Sequence, residues 1–468
     1  MKENLMQKLF TLFFCVLLSS NAFALYNSAG LPDSAEIRRT IIDSWLTAPL
    51  DELKDKKNLV KENEIGISFE VRLEEYEDHF DIVVAPEKTI TLEVISNGKK
   101  SVSETKSYPV TAPGSWVLHR SNVTGEPLYI DWYFVQDSEI CAQFRAENKK
   151  TFADMKVYSF YAARSVPMGI PFERLYSASF ENVYKWTSKT LPWKKVMPVL
   201  GQYELSKITS EIIRAQLPKM NYLEDACYNE HEELYSISTA KKYEVKDEQK
   251  IDYDKINLCG AGFVKYIIDG LVVPYSENGE GTRIIDMAKP TVVLESLSKS
   301  GVASQIWDLS FTLDWCRNLA VSSLAARSIK TAAPGYSSVD VTVENFSSEY
   351  VDGKMQNTAG YIPDNGYSIA ALKSLMYVLG VTEPSYMYLA AIRQPVKSLD
   401  GIYAYNECAL LIPYFDDKGR FVCVVFEKNK ETSFDDFIKE YGDSYIHLER
   451  VKTSEYFYPM KYEESTSH

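Results

Sequence analysis

Histidine is scarce in this chain. Its 468 residues hold five, His79, His119, His231, His447 and His468, and none falls between residues 232 and 446. Imidazole is the usual general base near neutral pH, so few residues can take that role. The sequence also lacks Cys-x-x-Cys, His-x-x-x-His and Gly-x-Ser-x-Gly. Its spacing therefore predicts no metal ligand set, no cofactor and no hydrolase nucleophile elbow. Basic residues are outnumbered, with Lys plus Arg at 51 against Asp plus Glu at 65 and a net charge of −14. That balance disfavours nucleic acid and anionic membranes, which reward clustered cations. Beyond the N-terminus no apolar run approaches the roughly 20 residues needed to span a bilayer, so no transmembrane segment is expected in the mature chain.

What is present begins with an export signal. Lys2 and Lys8 make a basic start, Leu9 to Leu18 form the apolar stretch, and Ala22-Phe23-Ala24 supplies small-x-small cleavage chemistry. The expected mature N-terminus is Leu25, in a periplasmic or secreted bacterial protein. Bulky Phe13 and Phe14 precede Cys15, which argues against lipid attachment there. Six cysteines remain: Cys141, Cys227, Cys259, Cys316, Cys408 and Cys423. An even count in an oxidising compartment permits disulfides. One pairing is disfavoured. If Asp416 pairs with Gly419 in a tight hairpin, Cys408 faces Glu427 and Cys423 faces Ile412, leaving the sulfurs roughly 13 Å apart. Scattered buried thiols are the expectation.

The fold class predicted is α+β. Residues 25–60 open with a helix, for which Asp33-Ser-Ala-Glu36 reads as a capping box. Residues 61–220 hold short strands separated by turns, at about 65–73, 80–84, 89–95, 115–119, 128–135 and 157–162. That spacing predicts a β-rich sandwich-like or barrel-like accessory domain. A helical piece near 204–217 closes it. Residues 221–468 then read as helices followed by strands at 386–393, 402–413, 420–427 and 445–451. This order predicts helices packed on an antiparallel sheet. Asn278–Gly281 reads as a turn. Asp314 and Arg317 are placed for an intrahelical ion pair.

The segment with most chemical content is Asn257-Leu-Cys-Gly-Ala-Gly-Phe-Val-Lys-Tyr-Ile-Ile-Asp-Gly-Leu271. Cys259 opens a helix there, where free N–H groups and the helix dipole favour a thiolate. Phe263, Val264, Ile267, Ile268 and Leu271 recur at helical spacing and predict one buried face. The segment resembles the Asp-Cys-Ser-Gly-Phe-Val nucleophile motif of the NlpC/P60 superfamily, papain-like cysteine peptidases and amidases of bacterial cell-wall peptides. The resemblance covers about fifteen residues plus the helix-then-sheet order. It implies a papain-like domain, with a Cys nucleophile at the helix start and a His base on a following strand.

The chain departs from that pattern. Ungapped alignment on Gly262-Phe263-Val264 puts Gly260 at the nucleophile position, Ala261 at the Ser position and Cys259 on the family's Asp. Ser398-Leu-Asp-Gly-Ile-Tyr403 is similar to the family's His-Val-Gly-Ile-Tyr strand, and Leu399 stands at the His position. Two readings follow. In the first, the chain is a catalytically inactive envelope module that binds a peptide, a peptidoglycan fragment or a protein partner. In the second, it is a divergent cysteine endopeptidase or amidase with Cys259 as nucleophile and His447 as base. A third reading, an adhesion or assembly protein led by its β-rich domain, sets the resemblance aside. His231, in Glu230-His-Glu-Glu233, is expected at the surface.

Overall fold

The computed structural model describes residues 31–460 except 97–98, 149, 230, 240, 245–250, 276–306, 328–334, 343–346, 352–353, 359, 364 and 397–400. The signal segment, the Asn278–Gly281 turn, Leu399 and His468 thus lie outside the described residues. The chain divides into two compact units. One comprises Met1–Val199 with Ser347–Asn357 and Lys418–Arg420, and the other holds the remainder. The division therefore falls near residue 200, not 220. The helix Glu204–Gln216, expected to close the first domain, contributes Ile213 to the core of the second unit.

The first unit starts with helix α1 (Ala35–Thr40), which runs into a π-helical turn at Ile42–Leu46. The expected capping box does not form. Ser34 is the N-cap without a side-chain capping bond, Asp33 accepts from Ala35 N at 2.8 Å, and Glu36 accepts from Glu64 N. The strands are β1 (Leu59–Glu62), β2 (Ser68–Glu75), β3 (His79–Pro86), β4 (Lys88–Ser96), β5 (Lys99–Ser107), β6 (Trp116–Ser121), β7 (Pro127–Tyr133), β8 (Ile140–Glu147), β9 (Lys150–Val157) and β10 (Phe160–Pro167). Strands β4 and β5 form a separate hairpin. The other eight join Ser347–Val351 and Lys354–Thr358 in one ten-stranded sheet. A sandwich needs two facing sheets; the described strands of this unit give one sheet and a hairpin.

The 157–162 segment, predicted as one strand, is a hairpin corner. Tyr158 has φ +53°, and Val157 pairs with Phe160 across the turn. Strands β8 and β9 were not legible, because Ala, Gln, Arg, Asp and Lys dilute their β pattern. On one face, Trp116 lies opposite Trp132, and the buried Arg38 guanidinium sits 4.8 Å and 4.9 Å from their ring centroids. Arg38 also donates to the carbonyls of Leu175, Tyr176 and Ala178 and to Ser34 Oγ, so four of its five N–H groups are hydrogen-bonded.

The second unit carries a seven-stranded sheet. Its strands are β11 (Tyr361–Ile362), β12 (Gly366–Ser368), β13 (Tyr386–Pro395), β14 (Tyr403–Phe415), β15 (Phe421–Glu427), β16 (Lys430–Thr432) and β17 (Tyr445–Lys452), in spatial order β11-β12-β17-β13-β14-β15-β16. All described neighbours are antiparallel. Helices α2 (Gly260–Val272) and α3 (Phe311–Ala326) pack against the face bearing Met387, Leu389, Ala391, Cys408, Leu410 and Ile412. Helix α4 (Leu372–Thr382) covers the other face, with Tyr377 edge-on to Phe415 and Phe421.

The β14–β15 register differs by one residue from the expected one. Phe415 pairs with Phe421, and Cys423 lies opposite Pro413, because the connection is five residues long with Gly419 at φ +79°. The shift puts Cys408 and Cys423 on opposite faces of the sheet, which excludes a bridge between them more firmly than distance did.

Candidate functional site

Two short strands set up the start of α2. Met220–Tyr222 pairs in parallel with Ile256–Leu258, and Cys259 N then donates to Ala226 O at 2.9 Å. Gly262 is required at the next contact, since a Cβ there would meet Ala226 O at 2.2 Å and Cys227 Cα at 3.1 Å. The glycine that carries much of the motif resemblance is thus a packing residue. Cys259 is the N-cap of α2, Gly260 is its first residue, and Gly262 N donates to Cys259 Sγ at 3.4 Å. The carbonyl of Ala261 accepts from Trp315 Nε1 at 3.0 Å, tying α3 to the start of α2.

Burial decides the state of this thiol. Desolvation pushes Cys259 up to about 12, with Cys408 and Asp225 adding to the rise, while the N–H groups of Gly262 and Ala261 pull the other way. Two helix N–H groups do not outweigh exclusion from water. Near neutral pH such a thiol stays protonated. No imidazole lies within hydrogen-bonding reach of Cys259 Sγ among the described residues; its one hydrogen bond is from Gly262 N. The six cysteines Cys141, Cys227, Cys259, Cys316, Cys408 and Cys423 are all buried and free.

His447 is held elsewhere. Ala391 on β13 lies opposite Cys408 on one side and opposite His447 on the other. Cys408 and His447 therefore occupy one row, two strand spacings or roughly 10 Å apart. Helix α3 lies over this row, with Cys316 beside Cys408 and Arg317 beside His447. His447 Nδ1 is 2.7 Å from Glu449 Oε1, and its Nε2 is 3.1 Å from Tyr361 Oη and 3.5 Å from Arg317. Arg317 in turn forks onto Asp340 at 2.6 Å and 3.1 Å, not onto Asp314 as helical spacing suggested. Asp314 instead accepts from Ser310 Oγ at 3.0 Å. The structure does not bring Cys259 and His447 together as a hydrogen-bonded pair.

The outer end of the site is closed by a hairpin turn. Lys428 and Asn429 have φ of +48° and +62° between β15 and β16, and Asn429 Nδ2 donates to Leu258 O at 2.9 Å and Asn221 O at 3.0 Å. Lys428 lies over Gly260 and pairs with Glu407 at 3.2 Å. Tyr222, half exposed, lies opposite Leu258 and next to Asn221, which accepts from Asn429, and so stands at the rim. This rim offers an aromatic face and both signs of charge. His231 is exposed, as expected.

Sequence spacing missed two clusters of ionisable side chains, one in each unit: Asp340, His447 and Glu449, and His79, Asp81 and His119. Each forms across strands, so no short motif announces it. In the first, Arg317 already supplies the positive charge. In the second no Lys or Arg among the described residues is paired with the cluster, and His119 is raised to about 9: burial opposes its charge, and Asp131 and Asp81 outweigh burial.

Residues 27–195 match a family described as a domain of unknown function, DUF8515. The match falls within the first unit and ends close to its boundary at Val199. No curated protein and no solved structure matches the chain.

Proposed function

We propose that this is an exported bacterial envelope protein whose second unit is an NlpC/P60-like papain-fold module that binds without cutting. The observation that carries the reading is Cys259: a thiol at the start of a helix packed on an antiparallel sheet, pushed up to about 12 by burial and without an imidazole in reach among the described residues. The helix-on-sheet arrangement supports the scaffold of a thiol enzyme, and among the described residues no activating partner meets the thiol. The ligand that suits the rim is a peptide or peptidoglycan stem peptide. Tyr222 offers a stacking face, and Lys428 and Glu407 offer charges for a carboxylate and an amine. A protein partner presenting such a peptide fits the same chemistry.

Incubating the purified chain with isolated peptidoglycan tests this reading. The expected result is co-sedimentation that weakens on Tyr222→Ala, with no soluble muropeptide released by the wild type or by Cys259→Ala. Release that depends on Cys259 would promote the enzyme reading, with His447 or another group as base. Failure to bind peptidoglycan and its stem peptides would remove the ligand assignment. Export carries its own check: the intact mass of periplasmic protein should correspond to a chain beginning at Leu25.

A further inference from the structure

In the first unit the polar face of the large sheet gathers two imidazoles and several carboxylates. Asp81 on β3 lies directly opposite His119 on β6, and His79 is two residues before Asp81, so all three side chains share one face. His119 Nδ1 and His79 Nε2 lie 2.6 Å and 3.6 Å from the same oxygen, Asp81 Oδ1. Two donors at about 2.0–2.2 Å from one ion stand about 3.3 Å apart at a tetrahedral angle, so the His79 contact is near that spacing and the His119 contact opens by roughly 0.7 Å on binding. These close contacts are poorly aligned as hydrogen bonds. Asp81 Oδ1 and both ring nitrogens of His119 are buried without a hydrogen bond of acceptable geometry, and Asp81 is 3% exposed.

The surroundings fit a metal site as well. Each ring turns its second nitrogen toward a further carboxylate: His79 Nδ1 to Asp78 at 2.6 Å, and His119 Nε2 to Asp131 at 3.5 Å. Gln143 Nε2 holds Asp131 from behind at 2.8 Å. Carboxylate–His–metal relays of this kind fix the tautomer and aim the ligating nitrogen. Tyr76 stacks on His79 at 4.6 Å and Tyr129 on His119 at 4.1 Å, fixing both ring planes. The His79 side chain is 22% exposed, which leaves a path for entry and for water at the remaining position.

We propose that His79, Asp81 and His119 bind a divalent transition-metal ion of the zinc class, with Asp78 and Asp131 orienting the two imidazoles. Two neutral imidazoles and one carboxylate are the donor set that borderline divalent ions take, and three protein ligands leave a position open. The competing description is a metal-free charged triad in which a protonated His119 bridges Asp81 and Asp131.

Cobalt(II) titration of the chelator-treated full chain, followed by zinc competition, separates the two. The proposal expects one equivalent of cobalt, visible d–d bands without a thiolate-to-metal charge-transfer band, and displacement by zinc. His79→Gln and His119→Gln should each abolish the spectrum. Asp78→Asn, at a side chain 87% exposed and outside the core, should keep the fold and weaken zinc binding by about 10–100-fold. Absence of a cobalt spectrum overturns the site in favour of the charged triad. Binding that survives His79→Gln, or that shows a thiolate band, places the metal elsewhere and also overturns it.

Discussion

At the scale of single residues, burial overrides local chemistry more than once. Cys259 has the helix-start position that lowers a thiol's pKa in an open site, yet desolvation drives it the other way. Asp314 shows the same conflict. Burial pushes it up to about 7, against the opposing pull of Ser310 and Arg317. The folded state therefore holds a proton on Asp314 that the unfolded chain releases near pH 4. Stability from this group is full below pH 4 and is lost as pH rises to about 7. Asp314→Asn removes that dependence: the variant should gain thermal stability over wild type at pH 8 and little at pH 4.5. Equal differences at both pH values would contradict the assignment. Gly262 was legible as part of a motif, but its reason, the 2.2 Å approach to Ala226 O, depends on a strand more than thirty residues earlier.

At the scale of elements, the sequence showed where helices and strands lie better than what they touch. Strands β13, β14, β15 and β17 begin and end within about two residues of expectation, because β-branched and aromatic runs bounded by turns are a strong local signal. Helix α2 was legible as a helix with one apolar face, yet its residues from Ala261 to Val272 are all buried. Its polar side is internal because Lys265 and Asp269, one turn apart, neutralise each other at 2.7 Å with side chains 2% and 3% exposed. Breaking such a buried pair by removing one member is strongly destabilising, so Lys265→Met should cost about 3–5 kcal/mol in denaturant unfolding of the second unit. Adding Asp269→Leu should recover much of that loss. Additive losses in the double variant would show that the pair does not act as a unit. The two His–carboxylate clusters were illegible for a related reason. Strand pairing brings together residues more than a hundred positions apart, as for Asp340 and Glu449, and no local spacing records it.

At the scale of the molecule, the two units carry separate chemistry. The first combines an Arg38-centred aromatic core with a polar sheet face bearing the His79–Asp81–His119 cluster, and coincides with the DUF8515 match. The second sets a thiol at a helix start over a sheet on which the buried imidazole is committed to Glu449, Tyr361 and Arg317. Among the described residues no helix is long and apolar enough to cross a membrane. The central proposal is that this second unit keeps a thiol-enzyme scaffold without its chemistry. Its most direct test is the rate at which Cys259 in the folded full chain reacts with iodoacetamide near pH 7.5, followed by peptide mass spectrometry. The account predicts that Cys259 stays unmodified on the timescale in which the same cysteine alkylates fully in denaturant. Rapid labelling of Cys259 in the native chain, faster than that of the unfolded thiol, would contradict it.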